Sequence, residues 1–145
     1  MKEIEKTIMQ YEGGAAYTND PDDPGGETKY GISKRYNPDI DVKNLTLDQA
    51  IAIAKTRYWN PLHLDGYRFA PFRWKVFDIA YNMGVATAQT FVEKLTKKKD
   101  TMDAVWELAT MQMKRYANKI HENPAKVKYI RGWTNRAMDT GEELA

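Results

Sequence analysis

The chain has 145 residues, 42% of them hydrophobic and 29% charged, and this length suits one compact domain that buries a substantial core. It has no cysteine and two histidines, which excludes disulfides, zinc–thiolate centres, iron–sulfur clusters, thiol nucleophiles and histidine-rich metal sites. The net charge of +2 is too small to indicate nucleic-acid binding by itself. Any chemistry must therefore come from carboxylates, hydroxyls or one histidine, and we expect neither a metal nor a cofactor.

The first predicted elements are a helix and a hairpin. Ile4, Ile8 and Tyr11 recur at helical spacing and predict a helix over residues 2–12, which Gly13–Gly14 ends because glycine adopts the left-handed conformation readily. The following segment is too rich in proline and glycine for a helix. It predicts two short strands, at residues 16–18 and 28–30, on either side of a turn-rich tip.

Capping signals and apolar periodicity predict five further helices. A capping box formed by Thr46 and Gln49 begins the first of them, and Asn123 followed by Pro124 begins the last. The apolar positions that mark the five helices run over residues 50–58, 74–81, 88–95, 105–120 and 129–133. The prediction is therefore a mainly α fold of the α+β type, a helical bundle with one small β-hairpin after the first helix.

The large aromatic residues have two interpretations. Helical spacing favours the core for Trp74, Trp106 and Trp133. Tyr58 and Trp59 precede an Asn–Pro pair, and they fit either the core or the lining of a sugar-binding groove.

Charge is unevenly distributed along the chain. Residues 94–136 contain eleven Lys and Arg residues against four Asp and Glu residues, a net charge of +7. This segment is either a solvated helix face or a surface that attracts a polyanion, such as cell wall, membrane or nucleic acid.

Glu12 is the first candidate for acid–base chemistry. It ends a predicted helix, near the negative end of the helix dipole and close in sequence to Tyr11 and Tyr17, and both factors raise a carboxyl pKa. A general acid that works near neutral pH needs such a raised pKa. The spacing alone favours the alternative, a solvated glutamate that precedes a turn.

The acidic segment 19–26 fails the metal and phosphate tests. A calcium loop that starts at Asp20 would place Pro24 and Gly31 at positions that need oxygen ligands, and the segment lacks the ending of a phosphate loop. The segment is therefore predicted to be a tight turn, and His63 and His121 are predicted to be structural.

Several motifs along the chain together resemble glycoside hydrolase family 108, the lysozyme-like N-acetylmuramidases of phages, prophages and bacteria. The segments that carry the resemblance are Tyr11-Glu12-Gly13-Gly14, residues 19–26, Thr28-Lys29-Tyr30-Gly31-Ile32, residues 45–50, Arg57-Tyr58-Trp59-Asn60-Pro61 and Phe77–Gly84. The C-terminal residues 116–136 are similar to the peptidoglycan-binding region that commonly follows the catalytic part.

The resemblance implies a reaction and a set of catalytic residues. The reaction is hydrolysis of the β-1,4 bond between N-acetylmuramic acid and N-acetylglucosamine, with Glu12 as the acid. Asp23 is the preferred second carboxyl group, with Asp20 and Asp22 as alternatives, and Thr28 is expected to position a water molecule. The expected substrate contacts are Tyr30, Tyr58, Trp59 and Asn82.

The resemblance also implies the domain organisation and the partners. Residues 1–85 are expected to form the catalytic region, with residues 86–145 a peptidoglycan-binding region packed against it. Lys97–Lys99 replace the turn usual in that region, which keeps a non-catalytic wall-binding or secretion-assisting protein as the alternative. We expect a monomer that binds peptidoglycan strands and not nucleic acid, with an anionic wall or membrane surface as a further partner of the basic segment. Without an apolar leader, synthesis in the cytoplasm and release to the wall by a holin-like route are expected.

Overall fold

The computed structural model describes residues 1–22 and 25–145, which form two compact units, Met1–Arg57 and Tyr58–Ala145. Helices dominate the described residues, and a small three-stranded antiparallel sheet follows the first helix. The predicted fold class is confirmed. The predicted division after residue 85 concerns function and stays a prediction.

The first unit begins with helix α1, Lys2–Tyr11. Ile4 and Ile8 are fully buried, as one apolar face of a helix requires. Gly13 and Gly14 then take positive φ values of 77° and 54°, which confirms the predicted helix stop.

The sheet consists of β1 (Thr18–Asn19), β2 (Glu27–Lys29) and β3 (Ile32–Ser33), in that spatial order. The predicted hairpin is confirmed as the pair of β1 and β2. The third strand was not predicted, because it has only two residues, too few for an alternating pattern. It follows a tight turn in which Tyr30 and Gly31 have φ values of 55° and 77°.

Helix α2, Leu47–Ala54, completes the regular structure of the first unit. Both hydrogen bonds of the predicted capping box form, between the Thr46 side chain and the Gln49 backbone and in the reverse direction. The chain continues through a π-helical turn, Lys55–Trp59, and two 3-10 turns, Asn60–Leu62 and Leu64–Gly66.

The second unit contains four α-helices within its residues 58–145, all of which the structure describes. They are α3 (Ala70–Met83), α4 (Val85–Glu93), α5 (Met102–Glu122) and α6 (Ile130–Met138). The Thr101 side chain caps α5 through the Ala104 N–H. A 3-10 turn, Pro124–Tyr129, follows Asn123 and leads into α6, so the predicted last helix starts with a tighter turn than expected. A final 3-10 turn is Glu142–Leu144.

Helix α3 lies at the centre of this unit and packs against α4 and α5. Trp74 is fully buried, as predicted, and the Trp133 ring stacks on Tyr116 with centroids 4.8 Å apart. The prediction for Trp106 is wrong, since 46% of that residue is exposed. Within the described ranges, no helix combines the length and apolar character needed to cross a bilayer.

Candidate active site

Glu12 lies at the C-terminal cap of α1, where it is half-buried. Two backbone hydrogen bonds fix the chain just beyond it. The Gly14 N–H donates to the Ile8 carbonyl at 3.1 Å, and the Gly14 carbonyl accepts from the Tyr30 N–H at 3.2 Å. The helix end that carries Glu12 is therefore tied to the turn between β2 and β3.

Glycine is favoured at this junction because both residues have a left-handed φ. Gly14 has a left-handed φ, and a Cβ there would lie 3.3 Å from the Met9 Cε atom. Gly13 has a left-handed φ as well, with open space around it. The two glycines therefore reverse the direction of the chain within two residues and keep the hydrogen bond from the Gly14 N–H to the Ile8 carbonyl.

The sheet presents a row of hydroxyl groups on one face. Thr18 pairs with Thr28, and Thr28 pairs with Ser33, so the three side chains point to the same side. The Thr28 hydroxyl donates to the Gly26 carbonyl at 3.3 Å. Because a hydroxyl has one donor and two acceptor sites, Thr28 can still accept a hydrogen bond from a water molecule.

The opposite face of the hairpin carries an interaction that sequence reasoning missed. The Tyr17 hydroxyl donates to the Glu27 carboxylate at 2.6 Å, and this hydrogen bond raises the pKa of Tyr17 above its ordinary value. The two residues are diagonal neighbours in the register of β1 and β2. An aromatic residue and a carboxylate at diagonal positions of two paired strands would have predicted this hydrogen bond. The prediction requires the register of the two strands, which cannot be read from the sequence.

The structure describes two of the three aspartates in the acidic turn, Asp20 and Asp22. The Asp20 carboxylate accepts a hydrogen bond from the Asp22 N–H at 2.9 Å, which confirms a turn that bonds its own backbone. Asp20 and Asp22 are both exposed. Asp23, the preferred second catalytic group, lies outside the described residues, so that assignment stays a prediction.

The predicted substrate contacts Tyr58, Trp59 and Asn82 belong to the second unit. Tyr58 is half-buried, and its ring centroid lies 4.9 Å from that of Tyr81. Asn82 is half-buried and accepts a hydrogen bond from the Tyr116 hydroxyl at 2.8 Å. Both assignments stay predictions.

Trp59 is a buried residue, with 1% of its surface exposed. Its indole N–H donates to the Asp65 carboxylate at 2.9 Å, and its ring lies 5.9 Å from that of Phe77. This burial agrees with the first of the two predictions for Trp59, that it belongs to the core. A direct contact between Trp59 and a sugar stays a prediction, and it would require the indole to become exposed.

Within the first unit, the structure thus joins Glu12, Thr28 and Tyr30 through one hydrogen-bonded turn and the short sheet. Tyr30 is 7% exposed, so its backbone fixes the turn while its ring is largely covered. Among the residues that the structure describes, no group of three or more His, Asp or Glu side chains is arranged to hold a metal ion. The arrangement offers a half-buried carboxyl group on a helix end whose backbone is hydrogen-bonded to the turn that follows Thr28, and a carboxyl group of this kind can serve in proton transfer.

Comparisons with known proteins concern the family and the fold. The model of the family described as Glycosyl hydrolase 108 matches residues 5–84, which include most of α1, the sheet, α2 and α3. The fold is similar to that in the "Structure of Brucella abortus SagA", with a TM-score of 0.72 over 98% of this chain and 92% of that chain. At 19% sequence identity, this likeness shows the fold alone. No curated protein matches the chain significantly.

Proposed function

Because this chain belongs to the glycosyl hydrolase 108 family, we propose that it cleaves peptidoglycan at the β-1,4 bond between N-acetylmuramic acid and N-acetylglucosamine. The observation that supports this specific reaction is the placement of Glu12. It is a half-buried carboxyl group at the end of α1, and the adjoining backbone is hydrogen-bonded to the turn at Tyr30.

In the proposed mechanism, Glu12 protonates the oxygen of the leaving sugar while an oxocarbenium-like state develops. A carboxylate of the acidic turn, for which we propose Asp23, stabilises that charge or activates the attacking water. The Thr28 hydroxyl accepts a hydrogen bond from that water, since its own proton is directed to Gly26. Each role uses an oxygen atom of the protein and needs no metal ion.

We further propose that the enzyme acts as a monomer on the bacterial wall, as an endolysin does. Tyr30, Tyr58, Trp59 and Asn82 are the proposed contacts to the glycan. The basic segment 94–136 is proposed to hold the enzyme near anionic wall or membrane surfaces, an attraction that weakens as salt rises.

Glu12→Gln tests the reaction, because glutamine keeps the shape of the side chain and cannot donate the acidic proton. We expect turnover of purified peptidoglycan to fall by about 10²–10⁴-fold, the contribution of a general acid. Glu5→Gln, an exposed position on the same helix, is the matched control and should keep full activity.

Mass spectrometry of the digest identifies the bond that is cut. Muramic acid at the new reducing ends supports the proposal. Glucosamine at the reducing ends, an amide cut, or undiminished turnover by Glu12→Gln would overturn it. Wall binding by the wild-type protein without any release of reducing sugar would favour the non-catalytic alternative instead.

A further inference from the structure

A chain of three hydrogen bonds runs through the second unit and ends at Asn82, one of the proposed glycan contacts. The Lys75 ammonium group donates to Gln112 Oε1 at 3.1 Å, and Gln112 Nε2 donates to the Tyr116 hydroxyl oxygen at 3.2 Å. The Tyr116 hydroxyl in turn donates to Asn82 Oδ1 at 2.8 Å. The chain therefore leaves α3 at Lys75, crosses to α5 and returns to α3 at Asn82.

Helical spacing explains why these four side chains meet. Lys75 and Asn82 lie two turns apart on α3, and Gln112 and Tyr116 lie one turn apart on α5, so each pair occupies one face of its helix. Lys75, Gln112 and Tyr116 are fully buried, whereas Asn82 is half-buried. Water therefore does not compete for the interior of the chain, and Asn82 is the member of the four that can meet a ligand.

The lysine sets the direction of every hydrogen bond in the chain. An ammonium group has three N–H donors and no acceptor. Lys75 donates to the carbonyls of Arg136 at 3.3 Å and Ala137 at 3.0 Å, and it also donates to Gln112. The Gln112 amide must therefore turn its oxygen to Lys75 and its nitrogen to Tyr116.

This direction is passed on to Asn82. The Tyr116 oxygen accepts from Gln112, and its single proton is donated to Asn82. The amide oxygen of Asn82 is thereby engaged inside the fold. Over residues 1–22 and 25–145, no protein group accepts a hydrogen bond from Asn82 Nδ2. Asn82 is thus held as a donor of two N–H groups.

The other orientation of the Asn82 amide is disfavoured. If the amide turned over, its N–H would face the Tyr116 proton, and neither group would have an acceptor. The Tyr116 ring cannot swing away easily, because it stacks on the Trp133 ring at 4.8 Å with an angle of 13° between the planes. The interior of the unit therefore selects one orientation of the amide.

We propose that Lys75, Gln112 and Tyr116 are positioning residues, which hold Asn82 as a hydrogen-bond donor for the acetamido carbonyl of a glycan. A hydroxyl group donates and accepts, so either orientation of the amide would recognise it. A carbonyl only accepts, whereas the ammonium group of a de-N-acetylated sugar only donates. The fixed amide therefore favours the acetylated sugar over the de-N-acetylated one. That the ligand is a glycan strand rests on the proposed function.

Hydrolysis of peptide-free glycan strands tests the inference, with strands that are N-acetylated, de-N-acetylated, or re-acetylated after that treatment. We expect wild-type kcat/KM to be about tenfold lower on de-N-acetylated strands, mainly through KM, and to recover on re-acetylated strands. Tyr116→Phe keeps the ring that stacks on Trp133 and removes the hydroxyl. It should remove most of this preference and keep kcat on acetylated strands. Tyr36→Phe, at a residue that is 73% exposed, is the matched control and should keep the preference.

Gln112→Glu is expected to reverse the chain. A carboxylate accepts from both Lys75 and Tyr116, so the Tyr116 oxygen is left to accept from Asn82 Nδ2, and the Asn82 oxygen becomes available to the ligand. The preference should shift towards de-N-acetylated strands by about tenfold relative to the wild type. Gln49→Glu brings the same change of charge and keeps the capping box of α2, so it should leave the preference unchanged.

A binding measurement separates this inference from the proposed reaction. The ¹⁵N-labelled Glu12→Gln protein is titrated with chitotetraose and with its de-N-acetylated form. We expect chitotetraose to shift the side-chain amide resonances of Asn82 and to bind more tightly, and Tyr116→Phe in this background should remove the difference. This result in a protein whose wild type releases no reducing sugar would reject the reaction and support the inference.

One result would overturn the inference while the reaction stands. It is hydrolysis by the wild type with the same preference for acetylated strands in Tyr116→Phe and Gln112→Glu. If those variants also had a lower free energy of unfolding, the chain of hydrogen bonds would have a structural role alone.

Discussion

Arg136 holds the buried carboxylate of Asp78 with two hydrogen bonds, from Nε to Oδ2 at 3.0 Å and from a terminal nitrogen to Oδ1 at 2.9 Å. Their side chains are 7% and 0% exposed. The pair joins α3 to α6. It also explains why an aspartate occurs in the motif at Phe77–Gly84, where it stabilises the fold and has no need of a catalytic role.

Arg136→Met should therefore destabilise the protein strongly, because it leaves the Asp78 charge buried without its guanidinium. Removal of one member of a buried pair costs about 3–5 kcal/mol. The free energy of unfolding in urea measures the loss. Arg131→Met, at an exposed position of the same helix, should change it by less than about 0.5 kcal/mol. Similar losses in both variants would contradict the structural role of the ion pair.

The three aspartates of the acidic turn should differ in their effect on turnover. Asp23→Asn should lower kcat by about 10²–10⁴-fold if it stabilises the transition state or activates water. Asp20→Asn should have a smaller effect, because Asp20 already accepts the Asp22 N–H and an asparagine oxygen keeps that bond. Rates on a soluble glycan compare Asp20→Asn, Asp22→Asn and Asp23→Asn. A larger loss in Asp20→Asn or Asp22→Asn would move the second role to that residue.

The hydrogen bond between Tyr17 and Glu27 predicts a pH dependence on the alkaline side. It raises the pKa of the Tyr17 hydroxyl above the ordinary 10.0, so the folded chain holds this proton more tightly than the unfolded chain. Its contribution to stability is fully present below pH 10.0 and is lost as the pH rises through the folded-state pKa. NMR titration of the Tyr17 ring measures this pKa, and Glu27→Gln should lower it. An unchanged Tyr17 titration in that variant would refute the pairing.

The close packing of Gly141 on Trp74 predicts that a larger residue at this position lowers the stability of the protein. Its φ is +67°, and a Cβ at this position would lie 2.5 Å from the buried Trp74 ring. Gly141→Ala should destabilise the protein by about 1–3 kcal/mol through backbone strain and overpacking. Gly132→Ala is the control, because Gly132 lies in α6 with open space around it. Alanine there should stabilise the helix by up to about 1 kcal/mol. Thermal unfolding compares the two variants, and equal shifts would contradict the packing on Trp74.

Local chemistry made much of the fold predictable. The capping box at Thr46, the glycine pair at 13–14 and the apolar spacing in α1 depend on neighbours a few residues apart. The structure has these features where they were expected. The resemblance of the motifs to glycoside hydrolases likewise led to the family, whose model matches residues 5–84.

Long-range relations were not predictable in the same way. The hydrogen bond from Tyr30 to Gly14 depends on how the β2–β3 turn meets a helix end, and the row of Thr18, Thr28 and Ser33 depends on strand register. Spacing also could not distinguish the exposed Trp106 from the buried Trp74, since both lie on helices with apolar neighbours.

By itself, therefore, the sequence determined the helices, their caps and the hairpin, because such features follow from backbone preferences and short-range spacing. Glu12 became the candidate acid through the resemblance of the motifs to a glycoside hydrolase family. Only the tertiary structure decided which groups are covered. In the folded protein Asp78 pairs with Arg136, Trp59 is buried beside Phe77, and Trp106 is exposed near several lysines. Burial and partnership are set by residues that are distant in the chain, and their positions are known only once the helices have packed.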